Sequence, residues 1–212
     1  MRHLGGMKTT IPLFPLNLVL FPGARLPLRI FESRYIDMVR DCMRSDSGFG
    51  VVWRLDGDEE SAGGHARVGT EARITDFSML EDGLLGIECL GTRRFLIRST
   101  RCRDDGLLLG DVDWMHDQAA MPVASRHAAL QSLMREILAH KALAGQIEAD
   151  ADDAASLSFG LASVLPIDRP RAQSLLESTQ PQQRLDSILE IIEGMSEDEQ
   201  STAAAGNFSG TA

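Results

Sequence analysis

Residues 11–23 read IPLFPLNLVLFPG, an apolar run broken by Pro12, Pro15 and Pro22. How this stretch is read decides the fold. A membrane-spanning helix needs about 20 apolar residues. This run is shorter and holds Asn17 as well as the prolines. Each proline inside a helix costs about 3 kcal/mol, because it removes a hydrogen bond and clashes with the preceding turn. An export signal has the positive residues it needs in Arg2, His3 and Lys8. Its apolar core would be a helix ending in small residues, however, and here Pro22-Gly23-Ala24 leads into Arg25 and more apolar sequence. The strand reading fits best. Proline favours extended backbone at itself and at the residue before it, and tolerates strand starts, edges and bulges. Residues 11–14 then form one short strand, 21–23 a turn, and 24–31 (ARLPLRIF) a second strand. In that second strand Leu26, Leu28 and Ile30 share one face, while Arg25 and Arg29 share the other.

The totals suit a soluble globular protein of one large or two small domains, with 43% hydrophobic and 25% charged residues in a chain of 212. Aromatics are only 5%, so the core must rely on Leu, Val, Ile and Met. Cys42, Cys89 and Cys102 are odd in number and lack metal or redox spacing. That pattern predicts buried free thiols in a reducing compartment. With the export reading rejected, the expectation is a cytoplasmic protein that does not engage membranes. The net charge is −10, uneven along the chain: 15 basic and 17 acidic groups in residues 1–115, against 6 and 14 in 116–212. Such a chain repels nucleic acid overall, although a local basic stripe can still bind it.

Outward from the opening stretch, the first half reads as strands around one helix. Phe31, Tyr35, Met38, Val39 and Cys42 recur at helical spacing, with Gly48 placed to stop that helix. Residues 49–55 return to strand composition, and 56–66 (DGDEESAGGHA) form a polar surface loop. Strands follow at 68–77, 84–90, 92–100 and 107–114, with Asp82-Gly83 and Asp105-Gly106 as hairpin turns. This regular spacing suggests a small closed or nearly closed barrel. After a linker at 116–124 the pattern becomes helical. Leu130, Leu133, Met134, Ile137 and Leu138 form one stripe, and Leu157, Leu161, Val164 and Leu165 a weaker one. Asp168 caps a third helix with Pro170 in its first turn and Leu175 and Leu176 facing inward. A fourth begins with a capping box over Thr179–Gln182, carries Leu185, Ile188, Leu189 and Ile192 inward, and ends at Gly194. From Ser196 the chain is acidic, then rich in Ser, Ala and Gly, and disorder is expected.

An ordered series of motifs carries a family resemblance. It runs Pro12-Leu13-Phe14-Pro15-Leu16, Leu20-Phe21-Pro22-Gly23, Leu26-Pro27-Leu28-Arg29-Ile30-Phe31 and the helix with Tyr35. It continues with Val68-Gly69-Thr70, Asp82-Gly83 and Gly91-Thr92-Arg93-Arg94-Phe95. This series resembles the Lon protease N-terminal domain family, the substrate-binding part of that ATP-dependent protease. Leu165-Pro166 and Arg184-Leu185 resemble the helical extension of stand-alone bacterial members, so the resemblance spans about residues 8–195. It implies an α+β fold: a PUA-like β-barrel with one inserted helix over 8–115, an α-helical bundle over 122–195 and a disordered tail over 196–212. It also implies recognition of unfolded or flexible polypeptide segments, or of a protein partner, with a link to protein quality control. The same family includes the corresponding domain of cereblon, a substrate receptor. Fold alone does not fix function.

Catalytic signatures are missing. The sequence has no Gly-x-x-x-x-Gly-Lys nucleotide loop, and its lysines are Lys8 and Lys141, which leaves a Ser–Lys peptidase dyad almost no candidates. There is also no nucleophile elbow and no zinc-ligand spacing among His3, His65, His116, His127 and His140, which read as surface or linker residues. The expectation is a non-enzymatic module without catalytic residues, cofactor or metal. Two binding readings remain. Arg93, Arg94, Arg98, Arg101 and Arg103 form a basic cluster; Arg94 and Arg98 share a strand face and are the candidate RNA contacts. The bland alternative is a solvated outer face paired with acids across the strand. The connection over 16–21 is unusually apolar for a loop, so Leu16, Leu18 and Leu20 are candidate polypeptide contacts unless they pack beneath the helices. By default Phe14, Leu18, Phe21, Phe31 and Trp53 are assigned to the core.

Overall fold

The computed structural model describes residues 9–55, 64–116, 119–140 and 145–206. The opening stretch becomes β1 (Thr9–Leu16) and its connection to β2 (Arg25–Ile30). Two prolines inside β1 would break an ordinary central strand. Here each half of β1 has its own neighbour. Residues 9–13 pair with β6 (Leu108–Trp114), and residues 13–16 pair in parallel with β3 (Phe49–Trp53). Pro12 and Pro15 therefore lie where the strand is laddered on one side only, and no second partner waits for their missing N–H groups.

β4 (Val68–Met79) and β5 (Leu85–Cys102) complete the sheet, in the order β2-β5-β4-β3-β1-β6. An additional β5–β6 pairing closes five of these strands into a barrel and leaves β2 outside, on β5. Both Asp-Gly turns form as expected: Leu80 N–H donates to Leu84 O at 2.9 Å and Arg103 N–H to Leu107 O at 2.8 Å. One expectation needs correction. The strands expected at 84–90 and 92–100 are a single strand, and Gly91 does not interrupt it. A Cβ at Gly91 would lie 2.3 Å from the Phe21 carbonyl oxygen, so this glycine marks a close backbone crossing.

The barrel lumen is filled by alternate residues of its strands, among them Leu13, Val52, Phe95, Ile97 and Val112. Phe95 needs glycine opposite it: a Cβ on Gly50 would stand 2.6 Å from Phe95 Cζ. The outer face packs against α1 (Ser33–Ser45), whose Tyr35, Met38, Val39 and Cys42 form the expected stripe. Tyr35 stacks on Phe14 with ring centroids 3.9 Å apart. Phe31 is not part of that stripe; it precedes the helix and is exposed. Asp46, in the left-handed conformation, ends α1 before Gly48 is reached. Cys42 and Cys89 are buried free thiols, but Cys102 is exposed.

In the helical half, a short 3-10 turn (Ser125–His127) leads into α2 (Ala128–Ala139), followed by α3 (Ala154–Val164), α4 (Arg169–Glu177) and α5 (Pro181–Gly206). α3 is buried nearly all round, which explains why its sequence stripe is weak. Asp168 caps α4 by accepting from Arg171 N–H at 2.9 Å. At the start of α5, Gln182 makes longer links: its Nε2 donates to Pro122 O, and its Oε1 faces His127. α5 also runs through Gly194, where a side chain would meet open space, and continues to Gly206. Disorder was expected from Ser196; of that tail, residues 207–212 lie outside the described residues. So do 56–63 of the expected surface loop.

The two halves share one apolar core, which includes Phe14, Phe21 and Val51 from one side and Leu157, Leu176 and Leu185 from the other. Backbone bonds join them too. Glu148 N–H donates to Gly23 O at 2.7 Å and Arg25 N–H to Gln146 O at 2.9 Å. The turn that closes the opening stretch is thus held by the helical half.

Candidate functional site

The arginine cluster disperses in three dimensions. Arg94 is 5% exposed, and its guanidinium donates to the carbonyls of Leu176 and Ser178 beneath the helices. Arg94 therefore cannot serve as a surface contact for RNA, because the helical half covers its strand face. Arg98 is exposed but ion-paired with Asp113 at 2.7 Å. Arg93 pairs with Glu71 at 2.9 Å, Arg101 with Asp111 at 3.2 Å, and Arg103 with Asp105. Apart from Arg94, the cluster behaves as a solvated face paired across and along its strands.

The leucines of the connection also separate. Leu20 is buried, and its carbonyl accepts from Thr70 Oγ1 at 2.6 Å. Leu18 packs part-buried against the core. Leu16 alone of the three lines an open groove of about 600 Å³.

That groove lies between the end of β1, the end of β2 and the start of α1. The stacked pair Phe14 and Tyr35 lines it together with Ile30, Phe31 and Leu108. Leu28 and Arg29 are shared with a second cavity of about 320 Å³, which continues over the β4–β5 hairpin. Register places Leu28, Ile87 and Phe77 in one row, and Ile30, Leu85 and Met79 in the next, so these side chains share a face. Its outer end is open: Phe31, Phe77 and Met79 are 69%, 57% and 74% exposed. β2 is also an edge strand. Since Arg25 N–H points away from β5 to Gln146, alternation directs the backbone groups of Pro27 and Arg29 outward as well. Large exposed apolar groups beside an open strand edge are what an extended chain needs for binding. Sequence reasoning missed Phe31, Phe77 and Met79. Phe31 reads as core by default, and only the topology shows that the sheet carrying Phe77 and Met79 outruns its cover.

Arg34 and Arg54 also line the groove. Arg34 donates to Gly106 O at 2.9 Å and pairs with Glu32 at 2.7 Å, while its buried Nε has no hydrogen-bond partner among the described residues. Burial raises the Tyr35 phenol above its ordinary pKa, with Arg34 opposing that shift.

His127 corrects a further expectation, since it is buried. Its Nε2 lies 2.7 Å from Asp186 Oδ1 and its Nδ1 3.0 Å from Gln182 Oε1. This cluster ties the linker to α5. Arg126 and His127 hold the Asp186 carboxyl down at about 2. Among the described residues, no three His, Cys, Asp or Glu side chains converge as a metal site.

A closed barrel with an inserted helix, a helical bundle locked to it and an open apolar groove at a free strand edge define a recognition module. The comparisons with known proteins agree. The profile of the ATP-dependent protease La (LON) substrate-binding domain matches residues 10–194, and the chain belongs to that family. A solved Lon N-terminal domain protein from Xanthomonas campestris is 39% identical with a TM-score of 0.74, covering 86% of this chain and 98% of its own. The N-terminal domain of Mycobacterium avium complex Lon protease shares the fold, with a TM-score of 0.62 at 15% identity over 86% of this chain and 97% of its own. Lon protease 2 of Myxococcus xanthus is 25% identical over 192 residues, 86% of this chain and 23% of that protein. Cereblon of Gallus gallus is 30% identical over 131 residues, 59% of this chain and 28% of that protein. The chain thus spans about a quarter of the length of these two relatives. No helix among the described residues is long and apolar enough to cross a membrane.

Proposed function

We propose that this chain recognises unfolded or flexible polypeptide segments, without catalysis of its own, as a cytoplasmic component of protein quality control. The single observation that supports this most is the groove at the β2 edge. There Phe31 stands exposed at the end of β2, whose backbone groups face outward, and Phe77 and Met79 stand exposed across β5 on the same sheet, in a family whose description is substrate binding. Apolar side chains would supply affinity, and strand addition would supply tolerance of sequence. RNA binding through the arginines is not favoured, because Arg94 is buried and Arg98 is paired.

The test is fluorescence anisotropy of the whole chain against a labelled unfolded polypeptide and a labelled structured RNA, at low and physiological salt. Polypeptide binding that survives physiological salt, and that Phe31→Ser and Met79→Ser weaken, is expected. RNA binding that collapses with salt, with no polypeptide binding, would overturn the proposal, since phosphate contacts release counterions.

A further inference from the structure

We infer that the groove selects segments in which a carboxylate side chain neighbours a large apolar one. The inference rests on the polypeptide-binding reading and specifies its substrate class. The chain carries a net charge of −10, yet three arginines, Arg29, Arg34 and Arg54, line this groove, with Glu32 as its one acid. Arg29 is held by Asp82, and Arg34 by Glu32 and the Gly106 carbonyl. Arg54 has no ion-pair partner among the described residues, and Arg34 keeps one buried donor, Nε, unanswered. These donors stand beside the Phe14–Tyr35 stack, with the Arg34 guanidinium 4.8 Å from the centre of the Tyr35 ring. Helix α1 begins at the same place, and its N-cap Glu32 makes no side-chain cap bond, so the positive end of the helix adds to the field.

Apolar walls lower the local dielectric and focus this field. A neutral apolar segment fills the walls and leaves the arginine donors unanswered. A basic segment meets like charge. An aspartate or glutamate beside an aromatic or aliphatic residue satisfies both parts at once, because carboxylates accept the paired N–H groups of a guanidinium. The occupant is therefore an extended acidic-apolar polypeptide segment. Charge complementarity distinguishes it from the generic apolar chain that the walls alone would accept.

The experiment uses the full chain and three labelled extended peptides of identical apolar residues, flanked by Asp and Glu, by Asn and Gln, or by Lys. At low salt the acidic peptide should bind about fivefold more tightly than the neutral one, the scale of about 1 kcal/mol for a partly exposed ion pair. The basic peptide should bind most weakly. Arg54→Gln should bring the acidic-to-neutral ratio close to one. Glu32→Gln, which releases Arg34, should raise that ratio, a gain that mere damage to the fold would not produce. Arg98→Gln, outside the groove lining and paired with Asp113, should leave the ratio unchanged. Equal affinity for all three peptides, or a ratio untouched by Arg54→Gln, would overturn this inference and leave polypeptide binding standing. Failure of all three peptides to bind would remove the polypeptide reading as well.

Discussion

Two of the places where arginine meets an aromatic ring in this molecule have opposite outcomes. At the junction of the two halves, Arg184 and Arg94 lie 3.7 Å and 5.0 Å from the centre of the Phe159 ring. Both donate to the Ser178 carbonyl at 2.8 Å, and Arg184 Nε also donates to Ser158 Oγ at 2.7 Å. Helices cover most of this site, and burial, with Arg94 nearby, pushes Arg184 down to about 9. At the groove, Arg34 approaches Tyr35 in the same way, but no element among the described residues closes over it. The junction is a groove that the chain has filled with its own helices. The groove at the β2 edge stays open.

The comparison can be broken by mutation. The largest effect belongs at the junction. Arg184→Ala removes a fully buried side chain, the donor to Ser158 Oγ and one of the two donors to the Ser178 carbonyl, so it should cost about 3 kcal/mol in urea unfolding. A change below about 0.5 kcal/mol would mean that the halves do not depend on this contact. The next effect tests the backbone crossing that seats the opening stretch. Gly91→Ala places its Cβ against the Phe21 carbonyl and should cost about 2 kcal/mol. Gly194→Ala meets nothing and should stabilise α5 by up to about 1 kcal/mol.

Groove substitutions should separate stability from binding. Phe31→Ser should shift stability by no more than about 0.5 kcal/mol while weakening polypeptide binding. An equally large loss of both would place Phe31 in the core after all. The smallest effect is electrostatic. Arg126 and His127 hold Asp186 at about 2, and Arg103 holds Asp105 at about 2, both below the ordinary carboxylate value. A carboxyl whose pKa is lowered by folding stabilises the native state fully above its unfolded pKa, about 4. That contribution is lost as pH falls from there toward about 2. Asp186→Asn should therefore flatten the acid limb of a stability–pH profile and leave the neutral region parallel to wild type.

Much of this architecture was legible locally. The two Asp-Gly turns, the Asp168 cap and the α1 stripe form where residue type and spacing place them. Errors arose where meaning depends on distant chain. Gly91 reads as a break but is a crossing point, because Phe21 lies against it. Arg94 and Arg98 read as one face, yet the helical half covers only the first. Of the candidate leucines, Leu16 reaches the groove while Leu20 turns inward to the core. Arg54 gave no local signal, since a lone arginine after a strand is ordinary until the fold sets it beside Arg34 and Tyr35.

The central claim is that polypeptide binds along the β2 edge. Hydrogen–deuterium exchange of the full chain, with and without an unfolded polypeptide, tests it most directly. The account predicts new protection at Arg29 and along residues 76–80, with the Phe159 junction unchanged. Binding that leaves β2 unprotected and instead protects the paired arginine face at 98–103 would contradict it.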